Sequence, residues 1–474
     1  MNKLRSCSFS TYLIVYIHTF TFLTSNLPCI QAAFDSLLQL PLSGSTRTRP
    51  RSRRVLFVGD FGAQGDGVHD DAKAFKDAWE LACSFSGRIR IVIPAGNTFH
   101  IHPIDIAGPC RSKITIQISG TIVAPKDPDA WHGLNPRKWL YFHKIDLLAS
   151  NRGFKWSYGS HVNMLQRPLL SIGASMLNVK NLMVLNSQQM HMTFSHCLRV
   201  VVSHLKVIAP ARSPNTDGIH ISASKGVEVR DSIIRTGDDC ISIVSNSSRI
   251  RIINIICGPG HGISIGSLGK SNSWSQVHDV MVDGAFLFNT DNGVRIKTWQ
   301  GGSGFASDIS FQNVLMENVS NPIIIDQYYC DSRMPCANQT LAVKVENISF
   351  MHIKGTSATE EAIKFACSND YPCEGLYLED ILLVSCSGGT TKSFCWKAYG
   401  SSLGLVYPPA CFSCSESFIK QKVLLDSAID SSRSRSHSVL NMYIYVAKRS
   451  TLIPKYCRSL LNSIFTVKDI YVGG

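Results

Sequence analysis

The sequence predicts an all-β chain that winds into a parallel β-helix, with one α-helix covering its N-terminal end. Segments in which apolar and other residues alternate indicate strands, because successive side chains on a strand point to opposite faces. These segments recur at intervals of roughly 23–39 residues, which is typical of stacked repeat units. Gly, Asn, Asp and Ser cluster between them, as turns require. Leucine-rich repeats are the alternative, but the sequence lacks their framework of regularly spaced Leu with Asn or Cys.

Each repeat places two apolar residues one position apart, and most repeats add a third about seven positions after the first. The repeats are Leu177/Val179/Val184, Val200/Val202/Val207, Val227/Val229/Ile234, Ile250/Ile252, Val280/Val282/Leu287, Ile309/Phe311/Met316, Ile348/Phe350 and Leu376/Leu378/Leu383. We expect each coil to stack on the previous one at ~4.8 Å, the spacing of hydrogen-bonded strands.

A solenoid of this kind needs a cap at its open end. Residues 71–82 predict this cap as an α-helix, and Asp70 is the expected N-cap. The apolar residues of the segment fall at helical spacing: Ala74, Phe75, Ala78, Trp79 and Ala82.

The composition excludes a wholly disordered chain and favours an anionic partner. Of the 474 residues, 44% are hydrophobic and 17% are charged, as in globular proteins. Lys and Arg outnumber Asp and Glu by 47 to 34, which gives a net charge of +13. Such a chain suits nucleic acid, an acidic polysaccharide or an anionic membrane surface. No apolar run reaches the ~20 residues that a membrane-spanning helix needs.

The N-terminus has the order of features expected of a secretory signal peptide. Lys3 and Arg5 precede an apolar stretch over residues 12–23, and two adjacent alanines follow. A buried N-terminal helix is the alternative. The Arg-rich segment that comes next lacks interleaved aromatic residues, so a solvated linker or pro-region is favoured over a nucleic-acid patch. The expected organisation is 1–32 signal peptide, 33–54 basic linker or pro-region, 55–423 β-helix domain and 424–474 basic tail of unknown role.

The cysteine content agrees with secretion. Loss of Cys7 and Cys29 with the signal peptide would leave an even number of the 16 cysteines, which fits disulfides. The sequence lacks the two Cys-x-x-Cys motifs that together indicate a zinc site. Cys411 and Cys414 form a single Cys-x-x-Cys motif, which is weak evidence for such a site. A secreted chain would also be a glycoprotein, and its sequons begin at Asn246, Asn318, Asn338 and Asn347.

Four polar motifs fall in consecutive coils. They are Asn-Thr-Asp-Gly-Ile-His at 215–220, Gly-Asp-Asp-Cys at 237–240, Gly-His-Gly at 260–262 and Arg-Ile-Lys at 295–297. Residues one coil apart lie above each other in a solenoid, so we expect the motifs to line one face. Arg295 and Lys297 would point the same way on a strand. Asp238 and Asp239 can both face the groove only if the chain bends, and Gly237 permits a bend.

Three carboxylates, one His and two cations together predict acid–base chemistry on an acidic sugar. Clustered carboxylates repel each other, which raises the pKa of one and creates a general acid. Inverting glycoside hydrolysis needs an acid and a base ~6.5–9.5 Å apart, a distance that one or two coils supply. The cations would bind a sugar carboxylate. A Ca²⁺ site is the alternative, but it would have no use for the nearby His and cations.

At these residues the chain resembles the plant-type polygalacturonases, family 28 of the glycoside hydrolases. The matching strings are Ser-Pro-Asn-Thr-Asp-Gly-Ile-His at 213–220, Thr-Gly-Asp-Asp-Cys at 236–240, Cys-Gly-Pro-Gly-His-Gly-Ile-Ser-Ile-Gly-Ser at 257–267 and Arg-Ile-Lys-Thr-Trp-Gln-Gly-Gly at 295–302. The resemblance implies a right-handed, single-stranded parallel β-helix of the pectin lyase-like type. It also implies hydrolysis of the α-1,4-galacturonosyl linkages of pectin with inversion, without a cofactor or metal.

The resemblance implies a role for each catalytic residue. Asp238 looks like the general acid that protonates the glycosidic oxygen. Asp217 and Asp239 look like the pair that activates the water, and His261 looks like a supporting histidine.

The resemblance also implies residues that bind substrate. Arg295 and Lys297 look like the galacturonate-binding cations, although the pair could instead only neutralise the aspartates. Tyr329 resembles the family's tyrosine site, and Asn215 belongs to the first matching string.

Three features of the scaffold follow from the same resemblance. Cys240 and Cys257 look like a family disulfide that ties the two catalytic coils together. Residues 145–170 lack the Gly-Thr-Ile-Asp/Asn-Gly stretch and the Trp-Trp that plant members carry, so one coil is expected to be rebuilt or missing. The tail after about residue 426 has no family counterpart.

The sequence therefore predicts a secreted, monomeric, endo-acting polygalacturonase of the plant cell wall, with pectic polysaccharide as its partner. Nucleic acid is not expected as a partner, nor is a membrane for the mature form. The alternatives are an inactive pectin-binding wall protein, an exo-acting enzyme and a rhamnogalacturonan hydrolase.

Overall fold

In the computed structural model, successive turns of the chain lay strands side by side in parallel ladders. The structure describes residues 54–132, 138–145, 148–151, 154–157 and 170–412. The predicted signal peptide and tail, and the predicted linker up to residue 53, lie outside the described residues. The strand pairs in these ranges are parallel, apart from one isolated antiparallel bridge between Gln300 and Ala342.

The described residues form one α-helix, three short 3₁₀ turns and 29 β-strands. The helix α1 is Ala72–Ser84, and the 3₁₀ turns are Val58–Phe61, Pro128–Trp131 and Lys270–Asn272. Strands β1 to β12 are Arg54–Phe57, Asp66–Asp70, Gly87–Ile93, Thr98–His100, Ile104–Ala107, Ser112–Ile118, Thr121–Val123, Leu140–Ile145, Leu148–Asn151, Phe154–Ser157, Leu170–Lys180 and Leu182–Leu185. Strands β13 to β20 are Met192–Ser195, Leu198–Ser203, Lys206–Ile208, Ile219–Ser222, Lys225–Arg235, Ile241–Ile243, Ser247–Cys257 and Ile263–Leu268. Strands β21 to β29 are Trp274–Phe288, Asn292–Trp299, Ser303–Val319, Asn321–Tyr329, Lys344–Ser357, Glu361–Ala366, Cys373–Ser385, Lys392–Trp396 and Ala398–Tyr407.

The apolar repeats of the sequence stack in register, as predicted. The first residue of each repeat pairs with the first residue of the next: Leu177, Val200, Val227, Ile250, Val280, Ile309, Ile348 and Leu376. All eight side chains are at most 2% exposed. The interior of the β-helix is therefore a continuous apolar core, because the same face of a strand points inward once in every coil.

A second ladder, which we call the site ladder, runs β16, β18, β20, β22, β24 and β26. Its inward positions are apolar and fully buried: Ile219, Ile241, Ile263, Val294, Ile323 and Ile363. The next residue on each of these strands faces outward. These outward residues are His220, Ser242, Ser264, Arg295, Ile324 and Lys364, paired one above the other. The alternation along each strand thus gives one sheet an apolar inward face and an outward face on which every paired residue except Ile324 is polar.

The N-terminal cap is the helix that the sequence predicts, shifted by one or two residues. Helix α1 begins at Ala72 and its N-cap is Asp71 rather than Asp70. The Asp71 carboxylate accepts hydrogen bonds from a preceding loop, while Asp70 Oδ1 accepts from the Ala72 N–H at 3.0 Å. The predicted apolar face of the helix is buried. Trp79 anchors it by donating to the Ala107 carbonyl at 2.9 Å.

Five disulfides cross-link the described coils and loops. They are Cys83–Cys110, Cys240–Cys257, Cys330–Cys336, Cys367–Cys373 and Cys395–Cys411. The Cys240–Cys257 bridge, which the resemblance implied, therefore joins two neighbouring coils of the structure.

The segment that departs from the family pattern contributes strands to the solenoid. β9 pairs with β6 and β11, and β10 pairs with β7 and β12. The described residues of this region therefore take part in the parallel ladders, although the sequence differs from the one the resemblance would supply.

Candidate active site

The polar motifs meet on the outward face of the site ladder. Asp217, Asp239 and His261 each lie two residues before a strand, in the turns that lead into β16, β18 and β20. Because these strands are neighbours, their turns are neighbours too, and the polar side chains converge over the sheet. Arg295 and Lys297 lie within the next strand, β22.

The turn that carries Asp238 and Asp239 depends on Gly237 for a reason that the sequence did not show. Gly237 lies against the preceding coil, where a Cβ atom would come within 2.2 Å of the Ser213 carbonyl oxygen. The chain between β17 and β18 bends at Gly237 and Asp238. This irregular backbone lets two adjacent aspartates face the same groove, and it is the close approach that requires glycine.

Asp239 is the most enclosed of the three aspartates, at 2% exposure, and two cations bind it. Lys297 Nζ donates to Oδ2 at 2.9 Å, and Arg295 Nη2 donates to Oδ1 at 2.8 Å. The Ser264 hydroxyl donates to the same Oδ1 at 2.7 Å. The predicted cation pair therefore faces the groove, and its carboxylate partner here is a protein side chain.

Asp217 is also buried, and burial is the main reason why its pKa rises to about 7. The negative charges of Asp239 and Asp238 raise the pKa further. Its Oδ2 accepts a hydrogen bond from the Ser242 hydroxyl at 2.7 Å. His220 Nδ1 lies 2.8 Å from the same hydroxyl, and burial lowers the pKa of this histidine to about 4, so that it is neutral. Asp217 thus holds a proton that an ordinary aspartate would have lost.

Asp238 forms a hydrogen-bonded pair with His261, whose Nδ1 lies 3.0 Å from Asp238 Oδ1. Burial acts to raise the pKa of Asp238, but the hydrogen bond and charge of His261 outweigh it, so the pKa lies below its ordinary value. The bond to Asp238 in turn raises the pKa of His261. In the free protein the proton of this pair therefore resides on the histidine. The sequence predicts that repulsion raises the pKa of one carboxylate of the cluster. That carboxylate is Asp217, and burial is a larger cause of its raised pKa than repulsion.

Two predicted site residues remain. Tyr329 lies beside the cation pair, and Asn215 lies on an exposed turn. The Tyr329 ring centroid is 5.3 Å from Lys297 Nζ, and burial raises the pKa of its phenol to about 12. Tyr329 is therefore a neutral group at the edge of the cation pair. Asn215 is exposed on the turn before Asp217, with a left-handed φ of 56°.

The motif analysis gave no role to four residues that the structure adds to the site. Ser242, Ser264 and His220 are outward residues of the site ladder, and they could have been found by extending the alternation from the apolar positions. Asp291 has no such signal in the sequence. Its Oδ2 lies 3.3 Å from His261 Nε2, so His261 stands between two carboxylates.

The geometry also bears on metal binding. Asp238, Asp239 and His261 place one potential ligand atom each within 4.8 Å of the others. Arg295 and Lys297 already donate to Asp239, so a metal ion would have to compete with two fixed cations. The donor set therefore does not fit a resident metal.

Comparison with known proteins places the chain in a family. Residues 83–401 match the profile of "Glycosyl hydrolases family 28". The chain is 56% identical over 406 residues to a protein of Arabidopsis thaliana named "Probable polygalacturonase", covering 82% of this chain and 91% of the relative. It is 47% identical over 352 residues to a polygalacturonase of Persea americana, covering 71% and 76%. The chain therefore belongs to family 28 of the glycosyl hydrolases, and it is a glycoside hydrolase, as its motifs predicted.

Solved structures confirm the predicted fold. An exopolygalacturonase from Thermotoga maritima aligns with a TM-score of 0.64 at 18% identity, covering 74% of this chain and 91% of that one. The polygalacturonase of Erwinia carotovora ssp. carotovora aligns with a TM-score of 0.60 at 18% identity, covering 75% and 99%. The fold is a right-handed parallel β-helix.

Proposed function

We propose that this chain is a polygalacturonase that hydrolyses the α-1,4-galacturonosyl linkages of pectin with inversion. The observation that carries the proposal is the arrangement around Asp238 and Asp239. One aspartate pairs with a histidine that holds a proton, and its neighbour lies between two cations. The matched relatives that are named polygalacturonases support the same conclusion.

In the proposed mechanism, Asp238 is the general acid and His261 supplies its proton. The proton passes from His261 Nδ1 to Asp238 across the 3.0 Å hydrogen bond, and then to the glycosidic oxygen. The bond between this oxygen and the anomeric carbon breaks, and the leaving sugar departs as an alcohol. This assignment reconciles the low pKa of Asp238 with its role, because the pair as a whole carries the proton.

Water attacks the anomeric carbon from the opposite face, and Asp239 accepts a proton from it. Asp217 is protonated in the free protein below about pH 7, so in this scheme it orients the water by hydrogen bonding. The raised pKa of Asp217 also makes it the competing candidate for the general acid. The two assignments differ in which aspartate must be able to lose a proton to the leaving group.

Arg295 and Lys297 are proposed to recognise the carboxylate of a galacturonate. Both lie beside Tyr329 and the catalytic aspartates, where a sugar bound at the cleaved bond would present its carboxylate. Their present bonds to Asp239 support the alternative, in which the pair only neutralises buried charge. A substrate carboxylate that shares these donors would free Asp239 to act as a base.

We also propose endo action, a monomer and secretion into the cell wall. Five disulfides within the described residues support secretion, because such bonds persist in oxidising compartments. No helix in the described ranges is long and apolar enough to cross a membrane.

The test is to incubate the purified protein with polygalacturonate and size the products. A ladder of oligomers is expected, while monomer alone would indicate exo action. Proton NMR of the first turnover should show the inverted anomer, and the retained anomer would contradict the mechanism. Parallel reactions on rhamnogalacturonan test that alternative. Binding without hydrolysis of any pectic substrate would make the protein an inactive wall protein.

A further inference from the structure

A buried histidine that the proposed mechanism does not use lies in the coil before the first catalytic aspartate. His191 immediately precedes strand β13, which pairs with β16 of the site ladder. Its side chain is fully buried, and it belongs to none of the four polar motifs. A buried polar group is costly unless it is hydrogen-bonded, so the partners of the ring show what it does.

Both ring nitrogens of His191 bond to backbone groups. The Ser187 N–H donates to Nε2 at 3.3 Å, so Nε2 is the acceptor of the ring. The neutral ring therefore carries its proton on Nδ1. Nδ1 lies 3.0 Å from the Asp217 carbonyl oxygen and donates a hydrogen bond to it. The contact with Ser187 thus selects the tautomer that binds the Asp217 turn.

The charge state of His191 agrees with this arrangement. Burial lowers the pKa of its ring to about 4, although neighbouring backbone carbonyls act to raise the pKa. The ring is therefore neutral above about pH 4, and Nε2 can accept from Ser187. A protonated ring would instead point a second N–H at the N–H of Ser187.

The Asp217 carbonyl oxygen accepts two hydrogen bonds from the same residue. The backbone N–H of His191 donates to it at 2.8 Å, in addition to the bond from Nδ1. On the other side of the turn, the Gly218 N–H donates to the Asp239 carbonyl oxygen at 2.9 Å. The turn that carries Asp217 is therefore held between the coil of His191 and the coil of Asp239.

The burial of the Asp217 carboxyl depends on the position of this turn. Asp217 lies before β16, so strand pairing does not fix it directly. The charged and titratable groups around it are Asp238 and Asp239 from the next turn, Lys297 from β22 and His220 from β16. Burial is a larger cause of its raised pKa than any of these charges. An outward movement of the turn would therefore lower the pKa of Asp217.

We propose that His191 is a positioning residue for Asp217, whose turn it holds in place through the hydrogen bond from Nδ1. The ring acts on the backbone of the turn and not on the substrate. Its effect on catalysis rests on the proposed function, in which a protonated Asp217 orients the water. Its effect on the protonation of Asp217 does not depend on that function.

The test compares how much Asp217→Asn stabilises the protein at pH 4 and at pH 8, with either His191 or His191→Phe in the chain. Asp217→Asn removes a carboxyl that the fold keeps protonated, so it should stabilise the protein more at pH 8. Phe keeps most of the ring volume and removes the donor. In the His191→Phe background this extra stabilisation should fall to less than about half. An unchanged value would overturn the proposal.

His191→Asn is the matched rescue variant, because its amide nitrogen takes the position of Nδ1 while the ring volume is lost. The extra stabilisation should persist with Asn, and a loss as large as with Phe would overturn the role of the donor. If melting temperatures show that His191→Phe does not fold, His191→Gln takes its place, since Gln reaches the Nε2 position but has no donor at Nδ1. Failure of all three variants to fold would assign His191 to the core instead.

Kinetics provide a second measurement. His191→Phe should lower kcat by about ten- to a hundredfold, the cost of a misplaced catalytic group. The alkaline limb of the pH profile should move to lower pH, because activity requires the proton on Asp217. A fall in kcat with an unmoved profile would contradict the link to Asp217. If the protein hydrolyses no uronate polymer, the proposed activity fails and the unfolding comparison still decides the role of His191.

The control for the kinetic measurement is His196, an exposed histidine just after β13. Its backbone N–H also donates to the next coil, to the Ser222 carbonyl oxygen at 3.2 Å. Its ring, however, lies beside the Ser195 hydroxyl, with 3.0 Å between Nδ1 and Oγ. His196→Phe should therefore change neither kcat nor the pH profile, and an equal effect in both histidine variants would overturn the proposal.

Discussion

The two faces of the site ladder come from the same strands and have opposite roles. The inward row, Ile219 to Ile363, is apolar and fully buried, and its members pair with one another from each coil to the next. The outward row varies along the ladder, with His220, Ser242, Ser264 and Arg295 in four successive coils. An inward apolar residue can therefore stabilise any coil in the same way. The outward residues of four successive coils instead form one particular site.

The comparison shows how a regularly repeating fold can position the unlike side chains of one active site. Because strand pairing fixes each coil directly over the last, a polar residue needs only its place in the alternation to reach the site. The aspartates and His261 are the exceptions, since they lie in the turns before the strands. Their positions depend on local backbone, such as the close approach at Gly237, and not on the ladder alone.

The largest effect is expected at the proposed acid. Asp238→Asn should lower kcat on polygalacturonate by about 10²–10⁴-fold, the usual contribution of a general acid. Substrate affinity should persist, because the amide keeps the shape of the side chain. Steady-state kinetics and a binding assay measure the two quantities, and Asp217→Asn serves as the matched variant. A larger loss in Asp217→Asn, with near-normal turnover in Asp238→Asn, would transfer the acid role to Asp217.

On the inward face, Ile363→Ala should reduce the free energy of unfolding by about 2–5 kcal/mol, because it leaves a cavity in a close-packed core. Lys364→Ala, the next residue on the same strand, is outward and should change stability by less than about 0.5 kcal/mol. Urea unfolding measures both variants. Similar losses in the two would contradict the division between the faces.

Asp217 should make the folded protein less stable as the pH rises. Its folded-state pKa of about 7 exceeds the ordinary value of 3.8, so the folded form keeps a proton that the unfolded chain releases between these pH values. This unfavourable contribution is absent below about pH 4, grows as the pH rises and is complete above about pH 7. Asp217→Asn should remove this unfavourable contribution. Between pH 4 and pH 8, the free energy of unfolding of the variant should therefore rise by up to about 4 kcal/mol relative to that of the wild type. Unfolding curves at both pH values test this, and an equal offset at each would show that Asp217 is not buried as a protonated acid.

A smaller effect is expected at the cation pair. Lys297→Met keeps the apolar stem beside Tyr329 and removes the charge. Loss of one charged hydrogen bond is worth about 1.5–3 kcal/mol, which corresponds to roughly a ten- to hundredfold fall in kcat/KM on polygalacturonate. On highly methyl-esterified pectin the wild type should already be slow, and the variant should lose little more.

The control for this comparison is the melting temperature of Lys297→Met. A large fall in melting temperature, or an equal loss of kcat/KM on the two substrates, would assign Lys297 to neutralising Asp239.

The fold was predictable from the sequence because its order is repetitive. The apolar repeats from Leu177 to Leu376 pair in the register that their spacing indicates, and the face of the capping helix is the predicted one. The exact helix start was not, because the N-cap residue Asp71 uses its carboxylate to bind the Gln64 N–H of a preceding loop, while the Asp70 carboxylate accepts from the Ala72 N–H. Long-range periodicity is thus easier to infer than local hydrogen bonding.

The meeting of the polar motifs was also predictable, but their electrostatics were not. The sequence brings Asp217, Asp238 and Asp239 to one face, yet it does not tell how burial and partners divide the protons among them. Which aspartate holds a proton depends on the hydrogen bond between His261 and Asp238 and on the burial of Asp217. Asp291 is recognised as a residue of the site only from its position beside His261 in the structure.

The parallel stacking of coils has a consequence for how such a protein can change its length. All four motifs come from consecutive coils, so an inserted coil between Asp217 and Lys297 would separate residues that must act together. A coil added before β13 or after β26 would leave that neighbourhood intact and lengthen the groove by one strand spacing, about 4.8 Å. The number of sugars that such a solenoid contacts can therefore vary independently of its chemistry, with the coil as the unit of change.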